Sequence, residues 1–378
     1  MNAKIYLDNN ATTKCDERVL ETLLPYLKDE YENPSSIYTL GRKIKEKLSE
    51  ARKKVAKVIN AKEEEIIFTS CASESNSMAI MNAVKNHPKQ RHIITTKVEH
   101  ASILEAMHDL EQQGYYVTYL SVNEKGQLSL EELEQAITKD TFLIVVMMAN
   151  NELGNLYPIK EIGALAEKYH IYFHTDAVQA LGKIKIDVRD LKITTLSLSG
   201  HKIHAPKGIG VLYVKENTPV QPLIYGHQEH NFRGGTENVA FIMALGTAAE
   251  LIYQDEYQTN IKLKYLRDKM EKEIKERIEE VYIYGDLENR LPNTSSIAIK
   301  GIKGEELMLL LESFGIYVST GSACNSEIAE PSHVLVACKA NMEDYSPIRI
   351  SLGKYNTEAE IEEFVKRLES IVRLKRRK

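Results

Sequence analysis

Tryptophan is absent from this chain of 378 residues, and cysteine occurs only four times. Cys15, Cys71, Cys324 and Cys338 show no C-x-x-C spacing, which argues against both a zinc site and a disulfide framework. They are expected as reduced thiols, which leaves room for a reactive one. Long apolar runs are missing as well: the longest, Phe142 to Ala149, is far too short to span a bilayer. No signal peptide precedes Ile5-Tyr6-Leu7, so the expected location is cytoplasmic. The net charge of −5 is spread over helices of mixed sign, which removes the basic footprint of a nucleic-acid surface. The basic end, Lys375-Arg376-Arg377-Lys378, is expected as a frayed, solvated tail and not a binding patch. What is left is ordinary for a globular enzyme, with length enough for two domains and a sizeable core.

The first fifteen residues read as a short strand ending in the polar turn Asp8-Asn9-Asn10-Ala11-Thr12-Thr13. A second turn, Asn33-Pro34-Ser35-Ser36, precedes an amphipathic helix from about Gly41 to Val58. An alternation follows. Strands are expected at Ile66–Ser70, His92–Thr96, Val117–Ser121, Leu143–Ala149, Ile171–Thr175, Thr194–Ser199 and Gly210–Val214. Helical patterns at Leu104–Gln113, Leu130–Ile137 and Ile159–Tyr169 lie between several of them. Strands alternating with helices predict an α/β fold with a mostly parallel seven-stranded sheet, helices covering both faces. Such sheets bind ligands at the carboxyl ends of their strands. Past Asn238 the pattern changes to a long charged helix over Tyr257–Glu280, short strands at Ser296–Ile299 and Ile348–Leu352, and a last helix from about Glu358 to Arg373. The expected division is a large domain over residues 16–250 and a smaller α+β domain built from 1–15 and 251–378.

The stretch Thr194 to Val214, TTLSLSGHKIHAPKGIGVLYV, has Lys202 at its centre. The connection from Gly200 to Ile209 has no helical period and is shorter than the roughly dozen residues a parallel crossover needs. An antiparallel pair joined by a polar loop is therefore expected. A lysine held among small polar groups at a strand end loses hydration, which lowers its pKa and frees the amine as a nucleophile toward carbonyls. A surface lysine in a turn is the plain alternative, and the neighbouring strand ends decide between the two. After the first strand comes Cys71-Ala72-Ser73-Glu74, whose free N–H groups suit a phosphate, although an ordinary helix cap looks the same. Other strand ends carry Glu99-His100, Asn150-Asn151-Glu152, Asp176 with Gln179, and His201 beside Lys202. Each has a bland reading as a cap, a turn amide or a structural histidine. Together they supply a phosphate cradle, an aromatic stacker, amides, a carboxylate and a lysine, an inventory that matches pyridoxal 5′-phosphate. That cofactor needs a lysine amine and an acid on its pyridinium nitrogen.

Read against known families, the sequence resembles the NifS/IscS group of cysteine desulfurases, in the class V, aminotransferase-like (fold-type I) pyridoxal phosphate enzymes. The resemblance runs nearly end to end. It rests on Tyr6-Leu7-Asp8-Asn9-Asn10-Ala11-Thr12-Thr13, Asn33-Pro34-Ser35-Ser36, Glu99-His100, Asn150-Asn151-Glu152, His174-Thr175-Asp176-Ala177-Val178-Gln179 and Ser199-Gly200-His201-Lys202. It continues through Arg233-Gly234-Gly235-Thr236-Glu237-Asn238, Thr320-Gly321-Ser322-Ala323-Cys324 and Ile348-Arg349-Ile350-Ser351-Leu352-Gly353.

The resemblance implies conversion of L-cysteine to L-alanine, with the sulfur passed to an enzyme persulfide that supplies iron–sulfur clusters or thio-cofactors. It implies that Lys202 holds the cofactor and later moves protons, and that His100 stacks on the ring and shares the acid–base work. Asp176 would pair with the ring nitrogen and Gln179 with the ring hydroxyl, with Asn151 beside the ring. Ala72, Ser73, Ser199 and His201 would bind the phosphate, joined by Thr236 from the partner subunit of a homodimer. Arg349, with Asn151, would bind the substrate carboxylate, and Cys324 would be the nucleophile. Implied partners are L-cysteine and a sulfur-acceptor protein such as an iron–sulfur scaffold. The small, polar neighbours of Cys324 suit an exposed thiol, whereas Cys15, Cys71 and Cys338 read as packing residues. Two departures stand out. Residues 222–229 are shorter by a glycine than the family's usual form, and Ser73 replaces the usual threonine while keeping its hydroxyl. A selenocysteine lyase or a small-amino-acid aminotransferase on the same fold stays open, as does an inactive sulfur carrier that merely keeps the fold.

Overall fold

The computed structural model describes residues 4–320 and 331–377. In chain order its first half comprises β1 (Ile5–Tyr6), α1 (Glu17–Lys28), α2 (Thr39–Val58), β2 (Ile66–Thr69), α3 (Ala72–Asn86), β3 (His92–Thr96), α4 (Ala101–Gln112), β4 (Tyr116–Leu120), α5 (Leu130–Ala136), β5 (Thr141–Val145), α6 (Ile159–Lys168) and β6 (Tyr172–Asp176). The second half comprises β7 (Thr195–Ser199), β8 (Gly210–Val214), α7 (Val239–Arg277), β9 (Val281–Tyr284), β10 (Thr294–Ile299), α8 (Gly304–Glu312), β11 (Ile316–Tyr317), α9 (His333–Ala337), β12 (Pro347–Ser351) and α10 (Glu358–Arg376).

A seven-stranded sheet in the order β2-β8-β7-β6-β5-β3-β4 carries the fold. The strands from β7 through β4 pair in parallel, and β8 lies antiparallel between β7 and β2. Every strand except β8 therefore ends on the same edge. The central strands are apolar runs without alternation, such as Leu143, Ile144 and Val145, all fully buried, as a sheet covered on both faces requires. The short link from β7 to β8 turns back as an antiparallel pair with Ser199 opposite Gly210. Gly210 cannot be replaced there without a shift, because an added Cβ would stand 2.5 Å from the carbonyl carbon of Cys71.

A three-stranded antiparallel sheet, β12-β10-β9, and the short parallel pair β1-β11 form a second layer with α8 and α10. Ile5, Leu7, Met270, Ile297 and Phe364 lie in its core. The helix α7 serves both cores: Val239 to Ala249 belong to the first and Leu263 to Ile274 to the second. It starts eighteen residues before the expected Tyr257, because its first half is buried on several sides and lacks a polar stripe. The basic C-terminus also differs from expectation. Helix α10 continues to Arg376, where Lys375 pairs with Glu306 and Arg376 donates to Glu279 O at 2.9 Å. Acidic partners on the layer beneath hold these residues in place. Among the described residues, no helix is long and apolar enough to cross a membrane.

Candidate active site

The strand ends converge on the N-terminal segment Asp8–Thr13, which enters the site from the second layer. Asn9 N–H donates to Ser351 O and Asn10 N–H to Ser351 Oγ, fixing the segment against β12. Asn10 then bridges outward, its amide donating to Asn151 O at 3.0 Å and to Thr294 Oγ1 at 2.9 Å. Its carbonyl accepts from Gln179 Nε2 at 3.0 Å and from Lys202 Nζ, which also donates to Ala11 O at 2.8 Å. Lys202 closes a single 3₁₀ turn, Gly200–Lys202, directly after β7. Next to it, His201 Nδ1 meets Thr12 Oγ1 at 3.1 Å, and His201 O accepts from Thr13 N–H and Thr13 Oγ1. Burial first, then Lys202 and Lys207, push the His201 pKa down to about 4, so the ring is neutral near pH 7.

Asp176 ends β6 and its carboxylate is well satisfied: Oδ1 accepts from Val178 N–H at 2.9 Å and Oδ2 from Asn76 Nδ2 at 2.9 Å. Asn76 is fully buried on α3 and also takes a hydrogen bond from His174. His174 is itself so buried that its pKa falls to about 3. His100 caps α4, its Nδ1 accepting from Ser102 N–H at 3.1 Å. Desolvation lowers its pKa; Asp176 opposes this, while Lys202 and His333 add to it.

Helix α3 begins at Ala72 with no side-chain cap from Cys71. Among the described residues, no acceptor meets the N–H groups of Ala72, Ser73 and Glu74. An uncapped fifteen-residue helix start beside the Ser199–Lys202 corner suits a phosphate. Glu74 does not occupy it, because its carboxylate is taken by Ser70 N–H and by Arg233 Nε at 2.8 Å. That pair also docks the Arg233–Asn238 turn onto α3, and Thr236 in this turn is exposed. Thr236 makes no hydrogen bond to the other site residues among those described.

Arg349, on β12, is buried. Its Nη2 donates to Asp8 Oδ1 at 2.8 Å and its Nη1 to Asn151 O at 3.3 Å, whereas Nε is buried with no acceptor among the described residues. A buried guanidinium with an unpartnered donor suits a carboxylate. Cys324 lies outside the described residues. Just past that segment, Ser332 Oγ donates to Glu152 Oε2 and His333 Nε2 to Glu99 O at 2.9 Å.

The sequence reading placed Lys202, Asp176, Gln179, His201, Ser199, Ala72 and Ser73 at this edge, and the structure brings them together there. It missed Asp8, Asn10, Asn76, Lys183 and His333. Lys183 Nζ donates to Gln179 Oε1 at 3.0 Å, orienting that amide toward Asn10. Burial, then Lys202 and Arg349, bring its pKa down to about 7. For Lys183 the signal was its spacing, four residues beyond Gln179, whereas Asp8 and Asn10 lay in a quoted motif with no role assigned to them.

The aminotransferase class-V family model matches residues 5–364. A cysteine desulfurase of Nostoc sp. is 48% identical over 371 residues, covering 97% of this chain and 92% of the relative. The cysteine desulfurase NifS of Azotobacter vinelandii is 44% identical, covering 98% of this chain and 93% of its own length. Among solved structures, a NifS-like protein superposes with a TM-score of 0.93 at 38% identity, covering 98% of this chain and all of that one. SspA in complex with cysteine gives 0.80 at 36% identity over 94% of this chain and 100% of its own.

Proposed function

The chain belongs to the aminotransferase class-V family, and we infer that it is a cysteine desulfurase, converting L-cysteine to L-alanine and keeping the sulfur as a persulfide on Cys324. The observation that carries this reading is one corner of the fold. Lys202 at a strand end and the buried Arg349 both bind the Asp8–Thr13 segment, and Asp176, held by two N–H donors, ends the strand next to that of Lys202.

The proposed cofactor is pyridoxal 5′-phosphate, and the donor set fits it: an uncapped helix start for the phosphate, an aspartate held by two N–H donors, and a lysine amine in the turn that follows β7. When bound, the group supplies an electron sink for the pair left by the departing Cα proton. Ala72, Ser73, Ser199 and His201 would bind its phosphate, Asp176 its ring nitrogen, Gln179 its ring hydroxyl, and Asn151 and His100 its ring. Lys202 Nζ would hold the cofactor and move the substrate's proton. Arg349, unpartnered at Nε, would orient the substrate carboxylate together with Asn151. The Cys324 thiolate attacks the substrate sulfur, the Cβ–S bond breaks, and protonation of Cβ releases alanine. A homodimer with Thr236 completing the partner's phosphate site is proposed, as is a sulfur-acceptor protein such as an iron–sulfur scaffold. The free thiols of Cys15, Cys71 and Cys338 support a reducing, cytoplasmic setting.

The test is purified protein with L-cysteine and a reductant, with alanine and sulfide measured together. Equal yields are expected without any keto acid. Alanine that appears only when a keto acid is added would make the protein an aminotransferase.

A further inference from the structure

After β6 the chain coils, with Leu181 N–H donating to Ala177 O and Ile184 N–H to Ala180 O, both at 3.1 Å. That coiling sets Lys183 one turn beyond Gln179. Lys183 Nζ donates to Gln179 Oε1 at 3.0 Å and to Gln179 O at 3.1 Å. The Gln179 side chain, itself buried, then has one consistent orientation. A backbone carbonyl only accepts, so Nε2 faces Asn10 O at 3.0 Å and Oε1 is left to the lysine. Nε2 carries a second hydrogen, which meets no further acceptor among the described residues. This donor lies beside the Lys202 amine, because Asn10 O accepts from Lys202 Nζ as well.

We propose that Lys183 is a positioning residue for pyridoxal phosphate: it locks Gln179 as a hydrogen-bond donor to the ring oxygen, and its cation behind the amide favours the ionised form of that oxygen. The proposal rests on the cysteine desulfurase reading, in which Gln179 faces the ring hydroxyl. In pyridoxal phosphate the ring oxygen sits on the carbon next to the one bearing the aldehyde, so a donor beside Lys202 Nζ is well placed for it. An amide turned the other way would offer its carbonyl and select the protonated hydroxyl. The charges around Lys183 are one-sided. It is partly buried and forms no ion pair among the described residues, and the charges that act on it, Lys202 and Arg349, are both cations. His204 also faces it, with its own pKa pushed down to about 4, chiefly by burial. Asp255 and Glu256 line the neighbouring cavity without pairing with it. With burial, Lys202 and Arg349 holding the Lys183 pKa down to about 7, a negative oxygen across the amide would raise it again. By the same linkage the lysine favours the negative oxygen.

The experiment is a pH titration of the cofactor absorbance of the full chain loaded with pyridoxal phosphate, which reads the ring oxygen without turnover. The long-wavelength band of the ionised oxygen should persist to lower pH in the native protein than in Lys183→Met, whose midpoint should be higher by on the order of one pH unit. Lys183→Arg, which keeps the charge and a donor, should restore most of the difference. Gln179→Met should raise the midpoint too, and Lys183→Met should add less on that background than on the native one, since the lysine acts largely through the amide. Equal midpoints for the native protein and Lys183→Met overturn the proposal, and so do shifts that simply add. A Gln179→Met midpoint equal to the native one overturns it whatever the fate of Lys183→Met. A chain that binds no pyridoxal phosphate overturns this proposal and the functional reading together. One that loads and shows these shifts but releases no alanine overturns only the desulfurase reading.

Discussion

Glu99 shows how much the core asks of a single side chain. Its Oε1 accepts from Thr96 Oγ1 at 2.8 Å and from Met147 N–H at 3.0 Å, while Oε2 is buried with no partner among the described residues. Desolvation therefore raises its pKa to about 8. The folded chain keeps a proton there that the unfolded chain loses near pH 4.5. The resulting stability is complete below that pH and drains away as pH rises through 8. Glu99→Gln keeps the Oε1 acceptor and removes the ionisation. It should lie within about 1 kcal/mol of the native protein at pH 5 and exceed it at pH 8.5 by on the order of 4 kcal/mol. Thermal unfolding at the two pH values checks this, and a difference that shrinks with rising pH would be the wrong sign. Asp176 presents the opposite case, a carboxylate whose donors hold it in place. Asp176→Ala should bind pyridoxal phosphate weakly and lose activity by at least about 10²-fold, since a neutral ring is a poor electron sink. Cofactor absorbance with alanine release measures both, and normal turnover by this variant would refute its proposed role.

At the scale of elements, sequence pattern located every strand of the large sheet to within a few residues, because runs such as Ile66–Thr69 and Gly210–Val214 are apolar and bounded by polar turns. The start of α4 was less legible. Its cap is the ring nitrogen of His100, a residue type outside the usual capping set, so the helix appeared to begin at Leu104. The role of Asn76 was hidden for a different reason: its three partners come from α4 and β6, which sequence spacing does not connect. The Asp8–Thr13 segment was visible as a motif but not as the hub, since its contacts span nearly the whole chain. The 222–236 stretch holds another long-range anchor. Glu229 is buried, pairs through both oxygens with Arg52 at 2.6 and 2.7 Å, and accepts from Phe68 N–H at 2.8 Å. Glu229, His230 and Asn231 all have positive φ, of 46°, 58° and 67°. Three such residues in succession carry backbone strain that the buried pair must offset. Arg52→Met strands the Glu229 carboxylate and should cost about 3–5 kcal/mol. Hydrogen exchange should then quicken over 222–236 well before it does in β5 or β6. Uniform quickening across the sheet would show that the pair holds the core and not this segment.

For the whole molecule, the question is whether one chain makes a complete site. The Arg233–Asn238 turn is fixed to the first turn of α3 by Arg233 and Glu74, yet Thr236 within it stays exposed and makes no hydrogen bond to the site around Lys202 among the described residues. Nearby in sequence, Leu223, Ile224 and Tyr225 are exposed, the last at 80%. A charged chain has little reason to display such a group beside a rigidly held turn unless a second surface covers it. The proposed homodimer supplies that surface and gives Thr236 a function in the other subunit's phosphate site. The prediction follows from this geometry. Lys202→Ala should be inactive for lack of the amine, and Thr236→Val should be impaired by weaker cofactor binding. Mixed and allowed to exchange subunits, they form a hybrid with one native Lys202 site completed by a native Thr236, because the two lesions fall in the same half of the hybrid. Activity should rise above that of either variant alone, toward half the native value per hybrid. If Thr236 served its own subunit, the hybrid would carry one lesion in each half, leaving one site without Lys202 and the other without Thr236, and mixing would restore nothing. A protein that is fully active as a monomer at assay concentration would likewise rule out the shared site.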